Sequence, residues 1–267
     1  MIITNEDIKT LRLANKLNQN LHIKKDTEVL KTLSSGKDIM GIFSFPKLSK
    51  KFDLRLFNIS QIINFINDCK KENRSEIFDI RVKENEFIIE GIKTRIKKII
   101  PQCKDDLISS YPSKDIVFSK KEIHSFPLEK RTLREIKRMS YCNSNIVQIK
   151  RKLNSNEIFV DVFDHGKFLQ NQKFYFYGVY PDDPKTYEDM KIKIFSHKLN
   201  SIDLDDYRCE VYEWGITYVL KLTSNNFNKT YIVATDPKVQ PNSDEMENHI
   251  SDKMAKYIQT KYVKKND

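Results

Sequence analysis

The sequence predicts an α+β protein of two similar domains, each with antiparallel strands and two helices. Short apolar and β-branched runs separated by turn residues indicate strands along most of the chain. Two segments, 58–71 and 127–142, place apolar residues at clear helical spacing. The order strand, helix, several strands, helix and three strands then occurs twice, as an internal repeat of roughly 110 residues.

In the first half, residues 1–3 are predicted as a short strand and residues 4–17 as a helix. Thr4 can cap this helix, and Glu6 and Asp7 lie in its first turn, where the helix dipole favours acidic residues. A second helix is predicted at 58–71, with Asn58 as its cap. The remaining strands of this half are predicted at 21–25, 27–33, 38–45, 52–57, 77–82, 86–92 and 94–100.

The pattern lapses after residue 100, which predicts a connector between two domains. Residues 101–114 contain two prolines and no sustained period. The predicted domains are therefore 1–100 and 115–236, joined by a connector at 101–114. Four residues place apolar side chains on this polar connector: Leu107, Ile108, Tyr111 and Pro112. They either form the rim of a partner-binding site or pin the connector to the protein body.

The second half repeats the order of the first. Helices are predicted at 127–142 and, shorter, at 197–202. Strands are predicted at 115–119, 145–153, 157–164, 173–180, 190–196, 206–214, 216–223 and 229–236. A tail, 237–267, follows the repeat, and Asp244 with Glu247 resembles a capping box. The tail has an apolar stripe at helical spacing, which predicts a helix that docks on the body or binds another protein: Met246, Ile250, Met254, Tyr257 and Ile258.

The helix predicted at 127–142 separates basic from apolar residues. On a helical projection its cations fall within an arc of about 120°: Lys130, Arg131, Arg134, Lys137 and Arg138. The apolar residues lie nearly opposite: Leu128, Leu133, Ile136 and Met139. This face is either an ordinary solvated surface or one that meets a polyanion such as a phosphate backbone.

Composition narrows the classes of partner. The chain of 267 residues carries a net charge of +10, which favours nucleic acid or an anionic membrane surface. No apolar run approaches the length of a membrane span, and the cysteines show no spacing suited to zinc: Cys69, Cys103, Cys142 and Cys209. The sequence therefore predicts a soluble, cytoplasmic protein with no metal, no cofactor and no membrane partner.

An enzyme is the alternative class. Asp182, Asp189 and Lys191 loosely resemble the arrangement of metal-dependent nucleases, in which carboxylates hold Mg²⁺. Their spacing is too short for that arrangement, and the segment fits a hairpin loop better. The adjacent Asp205 and Asp206 are predicted to form a solvated turn.

Several stretches, taken in order, resemble the DNA sliding clamps, most of all the processivity clamp of T-even-type bacteriophages. Residues 27–45, followed by 52–68, resemble that clamp's strand-turn-strand and second helix. Residues 132–149, with the step Arg138-Met139-Ser140, resemble the first helix and next strand of its second domain, and 229–236 its closing strand. The resemblance rests on the order and spacing of these stretches over about 220 residues. Two features depart from the family: the net positive charge and the basic tail.

This resemblance implies a ring-shaped homotrimer of the DNA clamp fold, with sheets outside and helices lining a central hole. Such clamps have no catalysis; a clamp loader opens them on duplex DNA, and DNA polymerase docks by a short peptide between the domains. The implied DNA-binding residues are Lys9, Arg12, Lys16, Lys70, Lys71, Lys130, Arg131, Arg134, Lys137, Arg138 and Lys198. A monomeric, basic clamp-fold protein remains the second interpretation.

Overall fold

The order of helices and strands repeats once along the chain. The computed structural model describes residues 2–44, 52–74, 76–83, 86–102, 122–140, 146–151, 157–163, 174–177, 191–214, 217–226 and 228–237. The first half contains β1 (Ile2–Ile3), α1 (Asn5–Asn15), β2 (Leu21–Ile23), β3 (Val29–Leu33), β4 (Ile39–Ser44), β5 (Leu54–Leu56), α2 (Ser60–Glu72), β6 (Phe78–Lys83), β7 (Glu86–Gly91) and β8 (Lys97–Pro101). The second half contains β9 (Glu122–Leu128), α3 (Lys130–Met139), β10 (Ile146–Arg151), β11 (Glu157–Phe163), β12 (Phe174–Tyr177), β13 (Lys191–Phe195), α4 (Ser196–Ser201), β14 (Tyr207–Trp214), β15 (Thr217–Ser224) and β16 (Lys229–Pro237).

One six-stranded antiparallel sheet, which we call the seam sheet, joins the two halves. Its strand order is β3-β4-β16-β15-β14-β9, so the halves pair through β4 and β16. Met40 lies opposite Ile232, and Ile39 lies opposite Val233. Each half also contributes a four-stranded sheet, β1-β6-β7-β8 or β12-β11-β10-β13, and β2 pairs with β5. The predicted α+β class with antiparallel sheets is therefore confirmed, while the predicted domain boundaries remain a prediction.

Helices α1 and α2 lie side by side and antiparallel. Lys70 Nζ donates to Asn5 Oδ1 at 2.9 Å, which brings the end of α2 to the start of α1. Ser60 Oγ donates to Asn15 Oδ1 at 3.0 Å at the opposite ends. Their buried apolar residues belong to the main core, which is continuous with the inward side chains of the strands: Ile8, Leu11, Ala14, Ile62 and Ile66.

The helix starts correct two predictions. Thr4 caps α1 as predicted, in a capping box with Asp7. Asn58 does not cap α2: the cap position is Ile59, and Asn58 has a left-handed backbone (φ 49°) that turns the chain into the helix. Helix α3 begins at Lys130 rather than 127, because Leu128 is the last residue of β9, where it pairs with Tyr207. The predicted strand 115–119, most of the connector and the tail after Pro237, the last residue of β16, lie outside the described residues.

A buried carboxylate fixes the turn between β7 and β8. Glu76 accepts backbone N–H hydrogen bonds from Lys93 and Thr94, each at 2.8 Å, and from Ile77 at 3.0 Å. A Cβ at Gly91 would lie 2.3 Å from Thr94 Oγ1, so the turn requires glycine there. Burial by itself raises the pKa of Glu76, but the N–H donors outweigh it and lower this pKa below its ordinary value.

We expect Glu76→Gln to lower the free energy of unfolding at pH 7 by about 1–3 kcal/mol, because the variant no longer offers a buried charge to these N–H donors. A lowered folded-state pKa means that the stabilisation is present above the ordinary glutamate pKa, about 4.3, and disappears as pH falls through the folded-state value. Urea unfolding at a series of pH values should show the gap between wild type and variant closing in acid. A gap that persists unchanged at low pH would contradict this role of the charge.

Candidate nucleic-acid interface

Helix α3 presents an exposed cationic face opposite a buried apolar one. Leu133 and Ile136 are buried. The exposed cations are Lys130, Arg131, Arg134 and Arg138. No acidic residue lies in the first turn of the helix. The separation predicted from the sequence therefore exists in the folded chain for these four residues.

The start of α3 is held by a residue distant in sequence. Its cap residue, Glu129, makes no side-chain capping hydrogen bond. Asp206 Oδ1 accepts from the Lys130 backbone N–H at 2.7 Å instead. A carboxylate at this end also favours the helix dipole. Asp206, predicted to lie in a solvated turn, thus acts as the cap, which no local pattern could reveal.

Arg138 forms an ion pair within α3 and stays available to solvent. Its guanidinium lies 2.9 Å from Glu135 Oε2, and its side chain remains largely exposed. An exposed pair of this kind contributes about 0–1 kcal/mol. Exchanging this pair for a phosphate contact would therefore cost little.

Lys137 lies at the border of the cationic face rather than within it. Its Nζ donates to the carbonyl oxygen of Ile202, between α4 and β14. Burial, with the nearby charge of Lys16, lowers the pKa of Lys137 to about 8, against a smaller opposing effect of Asp203. Lys137 thus holds α3 against the neighbouring loop and remains mostly charged at neutral pH.

Helix α1 brings cations of the first half to the same region. Lys9, Arg12 and Lys16 are exposed. The Arg12 guanidinium donates to Asn67 on α2, and Lys16 Nζ lies 3.8 Å from Asp203 Oδ1, which follows α4 in the second half. The end of α1 therefore meets the α3–α4 region, and cations from both halves lie near one another.

Helix α2 contributes less positive charge. Its exposed positions before the last turn are polar: Gln61, Asn64 and Asp68. Lys70 is engaged with Asn5, and exposed Lys71 lies 2.9 Å from Asp68 Oδ1. Both lysines lie in the last turn, where the helix dipole favours cations. They extend the cationic region only at one end of α2.

The structure corrects the prediction for Lys198, which is not on the exposed surface. Only 7% of this residue is exposed. Its Nζ donates to the carbonyl oxygen of Ala234 on β16 at 2.9 Å and lies 3.7 Å from Asp38 Oδ2, in the turn before β4. Its position in α4 suggested exposure, but the helix packs this side toward the seam sheet. Lys198 therefore links α4 to both halves.

A second buried lysine, missed by the sequence analysis, holds the loop after α4. Lys229 Nζ lies 2.8 Å from Asp203 Oδ2 and 2.7 Å from Asp205 Oδ2. Partial burial raises the pKa of Asp203, but the hydrogen bond from Lys229 and the charges of Lys229 and Lys16 outweigh it and lower this pKa. Asp205 is therefore a partner of a buried lysine rather than a solvated turn residue.

Several predicted positions cannot be placed. The partner-binding residues Leu107, Ile108, Tyr111 and Pro112 lie outside the described residues, as do Asp182 and Asp189 of the nuclease alternative. Lys191 begins β13.

In the part of the chain that the structure describes, no three His, Cys, Asp or Glu residues are grouped as metal ligands would be. No helix among those described is long and apolar enough to cross a membrane.

The fold is that of the DNA sliding clamps. A putative DNA polymerase III beta subunit from Eubacterium rectale superposes with a TM-score of 0.62 at 12% identity, over 88% of this chain and 65% of that one. The DnaN sliding clamp (DNA polymerase III subunit beta) of Pseudomonas aeruginosa gives 0.59 at 8% identity, over 88% and 65%. The predicted clamp fold is confirmed.

A eukaryotic protein has the same fold at a similar size. Proliferating Cellular Nuclear Antigen from Entamoeba histolytica superposes with a TM-score of 0.58 at 8% identity, over 86% of this chain and 94% of that one. The chain thus spans about two thirds of the two bacterial subunits and nearly all of this protein. No protein-family model and no curated protein sequence matches the chain.

We expect Lys198→Met to lower the free energy of unfolding by about 1–3 kcal/mol, because the carbonyl of Ala234 would have no charged donor and Asp38 would have one fewer cation nearby. Lys9→Met on the exposed face of α1 is the matched control and should change stability by no more than about 0.5 kcal/mol. Urea unfolding measures both. Unchanged stability with weakened DNA binding in Lys198→Met would contradict its role at the seam.

Proposed function

We propose that this chain is a sliding clamp, a DNA polymerase processivity factor that encircles duplex DNA and has no catalysis of its own. The observation that carries the proposal is the cationic surface formed by exposed residues of α1 and α3, near the place where the two halves meet. The clamp fold supports it.

The charge pattern suits a protein that slides. Lysine and arginine attract phosphates of any sequence, whereas hydrogen bonds to base edges would hold the protein at particular sites. In this proposal the phosphate-contacting residues are Lys9, Arg12, Lys16, Lys70, Lys71, Lys130, Arg131, Arg134 and Arg138. Lys137 adds its charge at the border of this surface.

The internal repeat suggests how copies assemble into a ring. Within the chain, β4 of the first half pairs with β16, the last strand of the second half. When the two halves are aligned, β12 of the second half corresponds to β4 of the first, and β8 of the first half corresponds to β16 of the second. Among the described strands, β8 and β12 are edge strands. We infer that β8 of one copy pairs with β12 of the next, head to tail, and closes a homotrimer.

The backbone of β8 is suited to this pairing. The N–H of Gly91 donates to the carbonyl oxygen of Ile96 at 2.8 Å, so the backbone carbonyl of Ile96 points toward β7. Backbone groups of successive residues in an antiparallel strand point to alternate sides, so those of Lys97 and Ile99 point away from β7. Ile232 of β16 is the residue that corresponds to Ile99. Because Ile232 lies opposite Met40 of the paired strand, it is only 8% exposed, whereas Ile99 is 49% exposed. A partner strand on β8 would cover Ile99 in the same way.

The remaining parts of the proposal concern partners and source. DNA polymerase would dock by a peptide at the connector, where Leu107, Ile108, Tyr111 and Pro112 lie, and a clamp loader would place the ring on DNA. The protein would be of the bacteriophage type and act in the host cytoplasm.

A monomeric clamp-fold protein is the second candidate, and the net charge of +10 favours it, because a basic monomer can hold DNA without encircling it. Solution mass separates it from a ring. A metal-dependent nuclease is separated from both by cleavage of plasmid DNA in the presence of Mg²⁺.

We expect Arg131→Glu with Arg134→Glu and Arg138→Glu to weaken binding to duplex DNA of any sequence while leaving the fold intact. The side chains face away from the core, and surface changes of this kind alter stability by about ±0.5 kcal/mol. The salt dependence of binding should flatten by roughly 0.9 log units for each phosphate that the variant no longer neutralises. A salt titration on two unrelated duplexes, with circular dichroism to confirm folding, measures this.

The matched control is Lys24→Glu with Lys37→Glu and Lys83→Glu, which changes net charge equally at exposed positions off the four described helices. Its DNA affinity should fall much less. An equal decrease in both triple variants would assign binding to total charge, and a decrease confined to one duplex would indicate base recognition; either result would refute the sliding surface.

We expect the wild-type chain, 31.7 kDa, to have three times that mass in light scattering at micromolar concentration and physiological salt. Ile99→Glu should give a monomer, because it introduces a charge where the neighbouring strand would pack. Ile2→Glu, on exposed β1 at the other edge of the same sheet, is the control and should remain trimeric. A wild-type monomer, or a trimer unaffected by Ile99→Glu, would contradict this interface.

A further inference from the structure

Three exposed isoleucines gather at one end of the sheet β1-β6-β7-β8, beside the turn that Glu76 fixes. Ile77, Ile92 and Ile96 are 43%, 39% and 42% exposed. The N–H of Ile92 donates to the carbonyl oxygen of Ile77 at 2.9 Å, and Ile96 lies opposite Gly91. We call these three residues the isoleucine patch.

The second half shows that the backbone does not require isoleucine at these positions. Six residues separate the paired Glu90 and Lys97, and six separate the paired Thr223 and Thr230, so the two turns correspond. Asn225 N–H donates to the carbonyl oxygen of Asp206 at 3.1 Å, as Ile92 does to Ile77. The residues that correspond to Ile77, Ile92 and Ile96 are therefore Asp206, Asn225 and Lys229. The same turn is built with polar residues there, so the turn by itself does not require the three exposed isoleucines.

The surroundings of the isoleucine patch are basic. Arg74, Lys93, Arg95 and Lys97 are exposed beside it. Arg95 has a left-handed backbone (φ 60°), and its N–H donates to the carbonyl oxygen of Gly91 at 2.9 Å, so the turn keeps a defined shape. The nearest acidic residue in this turn, Glu76, is buried and engaged with backbone N–H groups. Other acidic residues near the patch are exposed Glu72, at the end of α2, and partly exposed Asp79 and Glu90, which both pair with Arg81. A ligand for this surface should be apolar and acidic.

The C-terminal segment of this chain has that chemistry and is not used by the proposed function. Residues 244–258 lie outside the described residues. They carry the apolar stripe identified in the sequence. Four acidic residues, Asp244, Glu245, Glu247 and Asp252, and two lysines, Lys253 and Lys256, accompany it, which gives this segment a net charge of −2 within the otherwise basic tail. The segment and the patch therefore complement each other in both apolar character and charge.

We propose that residues 244–258 dock on the isoleucine patch, with the apolar stripe on Ile77, Ile92 and Ile96 and the acidic residues beside Arg74, Lys93 and Arg95. Burying apolar side chains from both partners provides the attraction, at roughly 25 cal/mol per Å² of apolar surface removed from water. The opposite charges fix the orientation of the segment and weaken as salt rises. Because it depends on neither DNA nor a ring, this docking is independent of the proposed function.

Hydrogen–deuterium exchange of the full chain, followed by mass spectrometry, tests the docking. Backbone amides of 244–258 should exchange about tenfold or more slowly than in the same peptide free in solution. Ile77→Asp with Ile92→Asn gives the patch the residues that the second half carries, so the fold should be retained. This variant should return the tail to the exchange rate of the free peptide.

The matched control, Val29→Asp with Ile2→Asn, makes the same kinds of change at two other exposed apolar residues and should leave the tail protected. Tail amides that exchange at the free-peptide rate in the wild type, or protection that survives in the patch variant, would overturn the proposal. The second result would place the tail elsewhere on the protein.

A charge exchange tests direct contact. Arg74→Glu with Lys93→Glu should release the tail, and adding Glu245→Lys with Glu247→Lys should restore its protection, because the attraction is re-formed with reversed signs. Failure of the second pair to restore protection, in a variant that circular dichroism shows to be folded, would refute the proposed ion pairs and with them the assigned orientation.

Discussion

The pairing of β4 with β16 is the interaction on which the rest of the structure depends. It joins the halves through main-chain hydrogen bonds, and Lys198 reinforces it by contacting Ala234 on β16 and the Asp38 side chain before β4. Because this pairing fixes the halves relative to each other, Lys16 of α1 comes within reach of Asp203 beyond α4. The cationic surface is therefore a consequence of the seam and not a property of either half alone.

Each half uses charge to join the loop after its second helix to the hairpin of its last two strands, but by different contacts. In the first half, the buried carboxylate of Glu76 accepts backbone N–H bonds from the turn between β7 and β8. In the second, the buried ammonium of Lys229, at the start of β16, contacts Asp203 and Asp205 in the loop after α4. A buried charge is tolerated only when it is paired or hydrogen-bonded, and each half meets that requirement by a different route. The position that Lys229 occupies in the second half is occupied by Ile96 in the first.

Lysines and arginines divide into two groups once the chain is folded. Arg131 and Arg134 extend from α3 into solvent, where their attraction for a polyanion remains available. Lys198 and Lys229 are buried, and their ammonium groups lie near the carboxylates of Asp38 and Asp203. Net charge does not distinguish the exposed cations from the buried ones, so the exposed cationic surface is smaller than the sequence suggests.

The sequence by itself determined the α+β class, the repeated order of elements and the two faces of α3, because alternation and helical spacing are local patterns that burial must respect. It also predicted Thr4 as the cap of α1, because the cap's partner, Asp7, lies only three residues away. Only the tertiary structure decided that Asp206 caps α3, that β9 extends to Leu128 and that Lys198 is buried. Each of these features depends on residues tens of positions away that strand pairing and helix packing bring together. A local sequence pattern does not identify such neighbours.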